Sequence, residues 1–230
     1  MRFLSSLGLL GLLLSAPAAA DVTVRYAPDP PSNRALLVEA DGHGRIRAET
    51  GPGELFIMRD GVTYVVTPGE EGPRVSRLED FLVIATEAAS AFRRSHPMHT
   101  TPPEMHYRLS EGGPQSVGIW PGTRVDVVEV GSRHPQSNVE WVTSSDPALA
   151  EAGRAANWVF ETQSRILATV IWNPSELISL LRQLRDRGAP LLLGGQYRLE
   201  SLGSAPVPAG RFELPGPVLS RAQLRALQPH

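Results

Sequence analysis

The stretch GRIRAETGPGELFIMRDGVTYVVT, residues 44–67, decides the fold of this chain. Three short apolar runs lie in it, at residues 45–50, 55–59 and 63–67. Each run contains β-branched or aromatic residues and is bounded by Gly, Pro or Asp, which predicts three strands. Asp60-Gly61 suits a two-residue turn with positive φ, so we expect consecutive strands to pair antiparallel.

The residues before this stretch continue the same pattern, and those after it change period. Residues 22–26 and 35–40 are strand-like runs, and Asp41-Gly42 provides a turn before the next strand. Over residues 79–94, apolar side chains recur at helical spacing, namely Phe81, Ile84, Ala85, Ala88 and Phe92. We therefore predict an antiparallel meander followed by one amphipathic helix.

The second half of the chain repeats this order loosely, with strands before and after a helical region. The strand-like runs lie at residues 104–109, 115–120, 123–130, 138–143, 190–193 and 196–202. These runs are separated by turn residues, which is typical of a second meander. A proline-punctuated stretch with Phe212 and Leu214 then leads to a short helix from Ser220.

Two helices are expected between these strands. One begins at Ser145 or Asp146 as N-cap, with an apolar stripe at Leu149, Ala152, Ala156 and Phe160. The next begins at Pro174, with Asn173 as N-cap, Glu176 in the capping-box position and Gly188 as the stop. Its apolar face is formed by Leu177, Leu181 and Leu184. Strands, helices and strands joined by hairpins predict an α+β fold, with a curved antiparallel β-sheet and α-helices on its concave side.

The first twenty residues have the pattern of a secretory signal. Arg2 is the charged start, residues 4–14 are mostly apolar, and small residues end the segment. We expect cleavage after Ala20, a single α+β domain over residues 21–230, and a periplasmic or secreted protein. The apolar segment is shorter than the roughly 20 residues that cross a bilayer, so no membrane-spanning segment is expected.

Composition excludes several classes of function. The chain has no Cys, so a lipid anchor, disulfides and thiol catalysis are excluded. All 22 basic residues are Arg, which excludes Schiff-base chemistry. The formal net charge is −2 and the signs are interspersed, so no nucleic-acid partner is expected. Since no nucleophile, phosphate-binding or dinucleotide motif is present, we predict a non-enzymatic protein with no catalytic residues and no cofactor.

Three patterns resemble a family of bacterial secreted proteins of unknown function, which is itself similar to the outer-membrane lipoprotein carriers. The first is the hairpin series at residues 44–49 and 55–66. The second is VEWVT running into DPAL, and the third is GAPL with the closing VPAGRFELP. The resemblance implies a half-open barrel whose concave face, covered by helices, holds an acyl chain or another apolar ligand.

Large apolar side chains are the candidates for such a site. Leu55 to Met58 are apolar at consecutive positions, so both faces of that strand must be covered, one by helices and part of the other by a ligand. The candidate ligand-binding residues are Phe56, Met58, Trp120, Trp141 and Trp158, with Trp172 as a further aromatic. Plain core packing of the same side chains is the alternative.

Two other functions stay open. His96, His99 and His106 lie in a Pro-rich segment with Met98 and Met105, and imidazole with thioether suits a metal such as copper. A solvated loop is the alternative reading of that segment. Exposed edge strands or the Pro-rich tail could instead bind a protein of the cell envelope.

Overall fold

The structure, a computed structural model, describes residues 21–96, 106–130, 139–170 and 175–228. The predicted signal and its cleavage after Ala20 lie outside the described residues. The strands are β1 (Val22–Pro28), β2 (Leu36–Ala40), β3 (Ile46–Gly51), β4 (Glu54–Arg59), β5 (Val62–Thr67), β6 (Arg74–Arg77), β7 (His106–Val117), β8 (Trp120–Val130), β9 (Val139–Ser144), β10 (Ala189–Leu193), β11 (Tyr197–Gly203) and β12 (Val218–Leu219). The helices are α1 (Leu78–Ser95), α2 (Ala150–Leu167), α3 (Ser175–Arg185) and α4 (Arg221–Ala226).

All these strands form one sheet in the order β12-β6-β5-β4-β3-β2-β1-β11-β10-β9-β8-β7. Strands β1 to β6 and strands β7 to β11 are two antiparallel meanders, and the antiparallel pairing of β1 with β11 joins them. Only β12 pairs in parallel, with β6, among the described strands. The order has two different end strands, so the sheet is not closed into a barrel. The α+β class is confirmed.

The first meander follows the sequence prediction closely. Asp60 and Gly61 have φ of 53° and 72°, as the two-residue turn between β4 and β5 requires. The turn between β2 and β3 differs, because the positive φ of 81° falls at Gly44 and not at Gly42. There Asp41 accepts hydrogen bonds from the backbone N–H groups of His43 and Arg45 at 3.0 and 2.9 Å, which builds a longer loop.

The second meander contains longer strands than the sequence indicates. Residues 104–109 and 115–120 were expected to be separate strands because Gly112, Gly113 and Pro114 lie between them. The structure instead carries β7 through this point with a bulge, where Gly113 has a φ of 89°. The prediction of two separate strands was wrong because β7 is the last strand of the sheet. An edge strand tolerates a proline and a bulge that a central strand would not.

Helix α2 forms the centre of the main core on one face of the sheet. Asp146 caps the 3-10 turn Pro147–Leu149, which leads directly into α2, as the capping pattern predicts. The predicted apolar stripe of α2 is buried. It packs on β1, β2 and β10, and the main core cluster also contains Val24, Val38 and Leu191. We call the side of the sheet that carries α2 the helix face.

Helix α3 packs in a second, smaller cluster. Its Leu180 and Leu184 are buried with Val125 and Val127 of β8. The predicted N-cap Asn173 lies outside the described residues. Gly188 is the third residue after the helix and has a φ of 124°, and a Cβ at this position would clash with the Ser144 carbonyl, so glycine is needed here.

Residues 204–228 form a strap that first crosses the face of the sheet opposite the helices and then passes the β6 edge to reach α1. Along β3, Ile46 and Ala48 belong to the main core, so Arg47 and Glu49 point to the opposite face. There Arg211 of the strap bonds Glu49 at 3.4 Å, and Phe212 is buried to 1% exposure. The strap then adds β12 beside β6 and places α4 against α1. In the described part of the chain, no helix is both long and apolar enough to span a bilayer.

Candidate functional site

A cavity of about 610 Å³ lies between α2, α3 and the β8 to β11 part of the sheet. Its wall is mostly apolar, and the side chains that carry the argument below are Val127, Val139, Trp141, Phe160, Leu167, Leu180, Leu181, Leu193 and Tyr197. The polar side chains of the lining are fewer: Arg34, Tyr107, Gln163, Ser164 and Gln196. A largely apolar cavity with few polar groups, in the range of about 300–1,000 Å³, is typical of a small-molecule site.

Side chains of α2 and β9 face each other across the larger cavity. On α2, Phe160, Ser164 and Leu167 are three or four residues apart, so they lie on one side of the helix. Trp141 on β9 contributes the side chain that faces them, and it packs against both core clusters. The cavity therefore lies where the main core and the α3 cluster meet.

A second cavity of about 270 Å³ adjoins the first, between α2 and α3. The two cavities share Trp141, Phe160, Ser164 and Leu181 as lining residues. The smaller one differs in its charged rim, which is formed by Glu161, Arg165, Arg182 and Arg185. Together the cavities have an apolar interior and one charged end.

Some of the charged side chains at the rim have ion-pair partners among the described residues, and one has none. Arg185 bonds Glu161 at 3.1 Å, and Arg165 bonds Glu79 of α1 at 2.9 Å. Arg182 is exposed, and its guanidinium has no ion-pair or hydrogen-bond partner in the described ranges. One guanidinium at the mouth of the smaller cavity is thus left for a ligand or solvent.

An aromatic cluster stiffens the wall behind the larger cavity. The ring of Phe160 lies 6.2 Å from the ring of Tyr26 and 6.0 Å from the ring of Tyr197. The Tyr26 hydroxyl donates a hydrogen bond of 2.8 Å to the Pro190 carbonyl. Burial raises the pKa of the Tyr26 hydroxyl, so it stays a neutral donor.

The structure places the five predicted ligand residues in two different environments. Trp141 lines both cavities. Phe56 belongs to the main core cluster, and Met58, Trp120 and Trp158 pack against that cluster. These four line neither of the two cavities described above. Trp172 lies outside the described residues.

The sequence near several lining residues does not show that they meet at a cavity. Phe160 and Leu181 were predicted only as apolar positions of helices, and Leu193 and Tyr197 only as parts of strands. Their meeting depends on β10 and β11 lying beside β9, which is a consequence of chain topology. The alternation along β11, where Tyr197 and Leu199 are buried and Arg198 is exposed, shows which face each side chain takes but not what it meets.

The second face of β4 is covered by the chain itself. Phe56 points into the main core, and Ile57 points to the opposite face, where it is buried with Val66 and Val75. Leu214 of the strap packs against this cluster. The strap therefore covers part of the face for which a ligand was expected, and ligand contact on the rest of that face stays a prediction.

The histidine segment is only partly described. His96 ends α1, where its ring stacks on Phe92 at 4.4 Å and its Nδ1 lies 3.0 Å from Ser95 Oγ. His106 begins β7, and His99 lies outside the described residues. Within the described ranges, no group of three or more His, Asp or Glu side chains is placed to hold a metal ion. A metal site at these histidines stays a prediction.

Comparisons with known protein families, curated protein sequences and solved structures gave no match. The family resemblance of the sequence therefore stays a prediction, and the site has to be interpreted from its own geometry.

Proposed function

We propose that this is an exported, non-enzymatic protein of the cell envelope that binds an apolar small molecule, an acyl chain or a lipid-like compound. The ligand lies in the larger cavity, under α2 and α3. We take the helix face to be the concave side of a curved, half-open barrel, and we place the protein in the periplasm or the surrounding medium.

The observation that carries the proposal is the apolar lining of the 610 Å³ cavity. Trp141 and Phe160 offer large, rigid surfaces to an apolar ligand, and Leu180 and Leu181 face them from α3. Each 100 Å² of apolar surface removed from water contributes about 2.5 kcal/mol. An acyl chain in this cavity removes both its own surface and that of the wall from water.

Exposed apolar residues at the cavity support the same function. Val139 is 40% exposed and Leu167 is 44% exposed, and both belong to the lining. Apolar side chains that stay open to solvent at the edge of a cavity are typical of binding sites. They give an apolar ligand a path from solvent to the interior.

The test is binding of N-phenyl-1-naphthylamine, a neutral apolar probe whose fluorescence rises in apolar surroundings. We expect Trp141→Ala to weaken probe binding about tenfold, because a large contact of roughly 1.4 kcal/mol is lost. Trp158→Ala is the matched control, since Trp158 packs on the core but lines neither cavity. Leu181→Trp, which fills the cavity without emptying the core, should also weaken binding.

Unchanged probe affinity in both cavity variants, with unfolding curves showing that they are folded, would overturn the proposal. Equal weakening by Trp141→Ala and Trp158→Ala would overturn it as well, because the effect would then come from general loss of packing.

A second candidate is a protein-interaction module, favoured by the position of β7. This strand is the last of the sheet, and over residues 108–117 no strand of the described ranges pairs with its outer edge. An extended segment of an envelope protein could add there. A photo-crosslinker at Arg108 of β7, compared with one at exposed Glu200 of β11, should capture such a partner selectively.

A further inference from the structure

We infer that the ligand is an anionic amphiphile, with an acyl chain in the larger cavity and a carboxylate or phosphate head at the smaller one, bound by Arg182. The inference rests on the proposed function and adds the class of head group and the residue that recognises it.

The linings of the two adjoining cavities differ in chemistry. The larger is enclosed mainly by apolar side chains, while the smaller has three arginines and one glutamate at its rim. Trp141 and Leu181 line both cavities, so the two cavities lie against the same side chains, and we infer that one long molecule spans both. A molecule that matches both ends is apolar along its length and charged at one end.

The sign of the head group follows from the pairing of the rim. Glu161 is compensated by Arg185, and Arg165 is compensated by Glu79. Arg182 is the rim cation without a partner in the described ranges. An anionic head therefore adds an ion pair there, whereas a cationic head would meet three guanidinium groups.

Two other polar side chains of the smaller cavity, Asn157 and Ser164, already bond protein atoms. Asn157 Nδ2 donates to the Gly188 carbonyl at 3.2 Å, and Ser164 Oγ donates to the Glu161 carbonyl at 2.7 Å. A guanidinium presents a planar fork of donors that matches the two oxygens of a carboxylate or phosphate. Arg182 is thus the group at this end that is best suited to bind a head group.

The test compares dodecanoate, dodecyl phosphate and neutral dodecanol as competitors of N-phenyl-1-naphthylamine on the full chain. We expect the two anions to bind about tenfold more tightly than the alcohol at low salt, from one charge-assisted contact. Arg182→Gln should remove most of that difference and leave dodecanol binding unchanged. Arg187→Gln is the matched control, because Arg187 bonds Glu111 on β7 and lines neither cavity.

The outcomes separate the two proposals. If dodecanol competes as strongly as the anions, or if Arg182→Gln weakens all three competitors equally, the head-group inference is overturned and the apolar-ligand function stands. If the probe itself does not bind, the proposed function fails and the inference fails with it. A preference for dodecyl phosphate over dodecanoate that is lost in Arg182→Gln supports the inference and identifies phosphate as the preferred head.

Discussion

At the scale of single residues, Tyr26 links the two halves of the sheet. It lies on β1, its side chain is 1% exposed, and its hydroxyl donates to the carbonyl of Pro190 on β10. The strands β1 and β10 are not neighbours, because β11 lies between them. The phenol therefore adds a polar link across β11, on the helix face and behind the larger cavity.

We expect Tyr26→Phe to lower the free energy of unfolding by about 1–2 kcal/mol, since a buried carbonyl loses its donor while the ring stays in place. Urea unfolding at neutral pH measures the change. Tyr64→Phe is the control, because the Tyr64 hydroxyl has no hydrogen-bond partner among the described residues and should cost little. Equal effects of the two substitutions would show that the hydrogen bond is not the source of the stability.

At the scale of elements, the strap is held to β2 and β3 by four alternating charges. Arg211 bonds Glu39 of β2 at 2.7 Å, and Arg47 of β3 bonds Glu39 at 3.0 Å. Arg47 and Arg211 also pair with Glu49. Glu39 and Arg47 are largely buried under the strap, so each charge of the network has a partner of opposite sign.

Acid should loosen this network in a defined range. Partial burial pushes the pKa of Glu49 upward, but hydrogen bonds and attraction from Arg47 and Arg211 outweigh it and hold the pKa below its ordinary value. A lowered pKa in the folded state means that the stabilisation is complete above the unfolded value of about 4.3 and is lost as the pH falls through the folded value.

We therefore expect the stability difference between the native chain and Glu49→Gln to be constant above about pH 5 and to shrink below about pH 4. Urea unfolding between pH 3 and 7 measures it. Glu200→Gln on the exposed side of β11 is the control and should show no such trend. A difference that grows toward low pH would contradict the assignment.

Elements with a local signal could be predicted, and elements defined by distant pairing could not. The β4–β5 turn, the capped start of α2 and the Ser220 start of α4 all follow from residues close in sequence. Strand β6 was missed because it is only four residues long and has Arg at both ends. An apolar cavity was one of two alternatives that the sequence left open, and its place could not be predicted, since it needs α3 seated on β8, and no short stretch of sequence encodes that contact.

At the scale of the whole molecule, the strap covers one face of the first meander and one edge of the sheet. Phe212 lies under Arg45, whose guanidinium carbon is 4.9 Å from the ring centre. Val207 and Asp21 tie the start of the strap to the start of β1, through a backbone hydrogen bond of 2.7 Å to the carboxylate. Strand β12 then pairs with β6, so the backbone groups on the outer edge of β6 have a partner strand.

Removing residues 204–230 should expose Ile57, Val66 and Val75 and open the edge of β6, and we expect the shortened chain to self-associate. Size-exclusion chromatography with light scattering measures this. Phe212→Ala keeps the strap and should lower the free energy of unfolding by about 3–5 kcal/mol, which tests the contact where the shortened chain does not fold. A shortened chain that stays monomeric and folded would show that the strap is not needed.

The pairing of β1 with β11 joins a strand that is made early in synthesis to one that is made late. Tyr26 and its hydrogen-bond partner Pro190 are 164 residues apart along the chain. At a ribosomal rate of about 5–20 residues per second, β1 waits roughly 8–33 s for that partner to be made. Until β11 is made, β1 lacks one of its two neighbours in the sheet. The middle of the finished sheet therefore depends on residues made late in synthesis, and only the strap with β12 follows them, so a chain that ends before residue 197 lacks the strand that joins its two meanders.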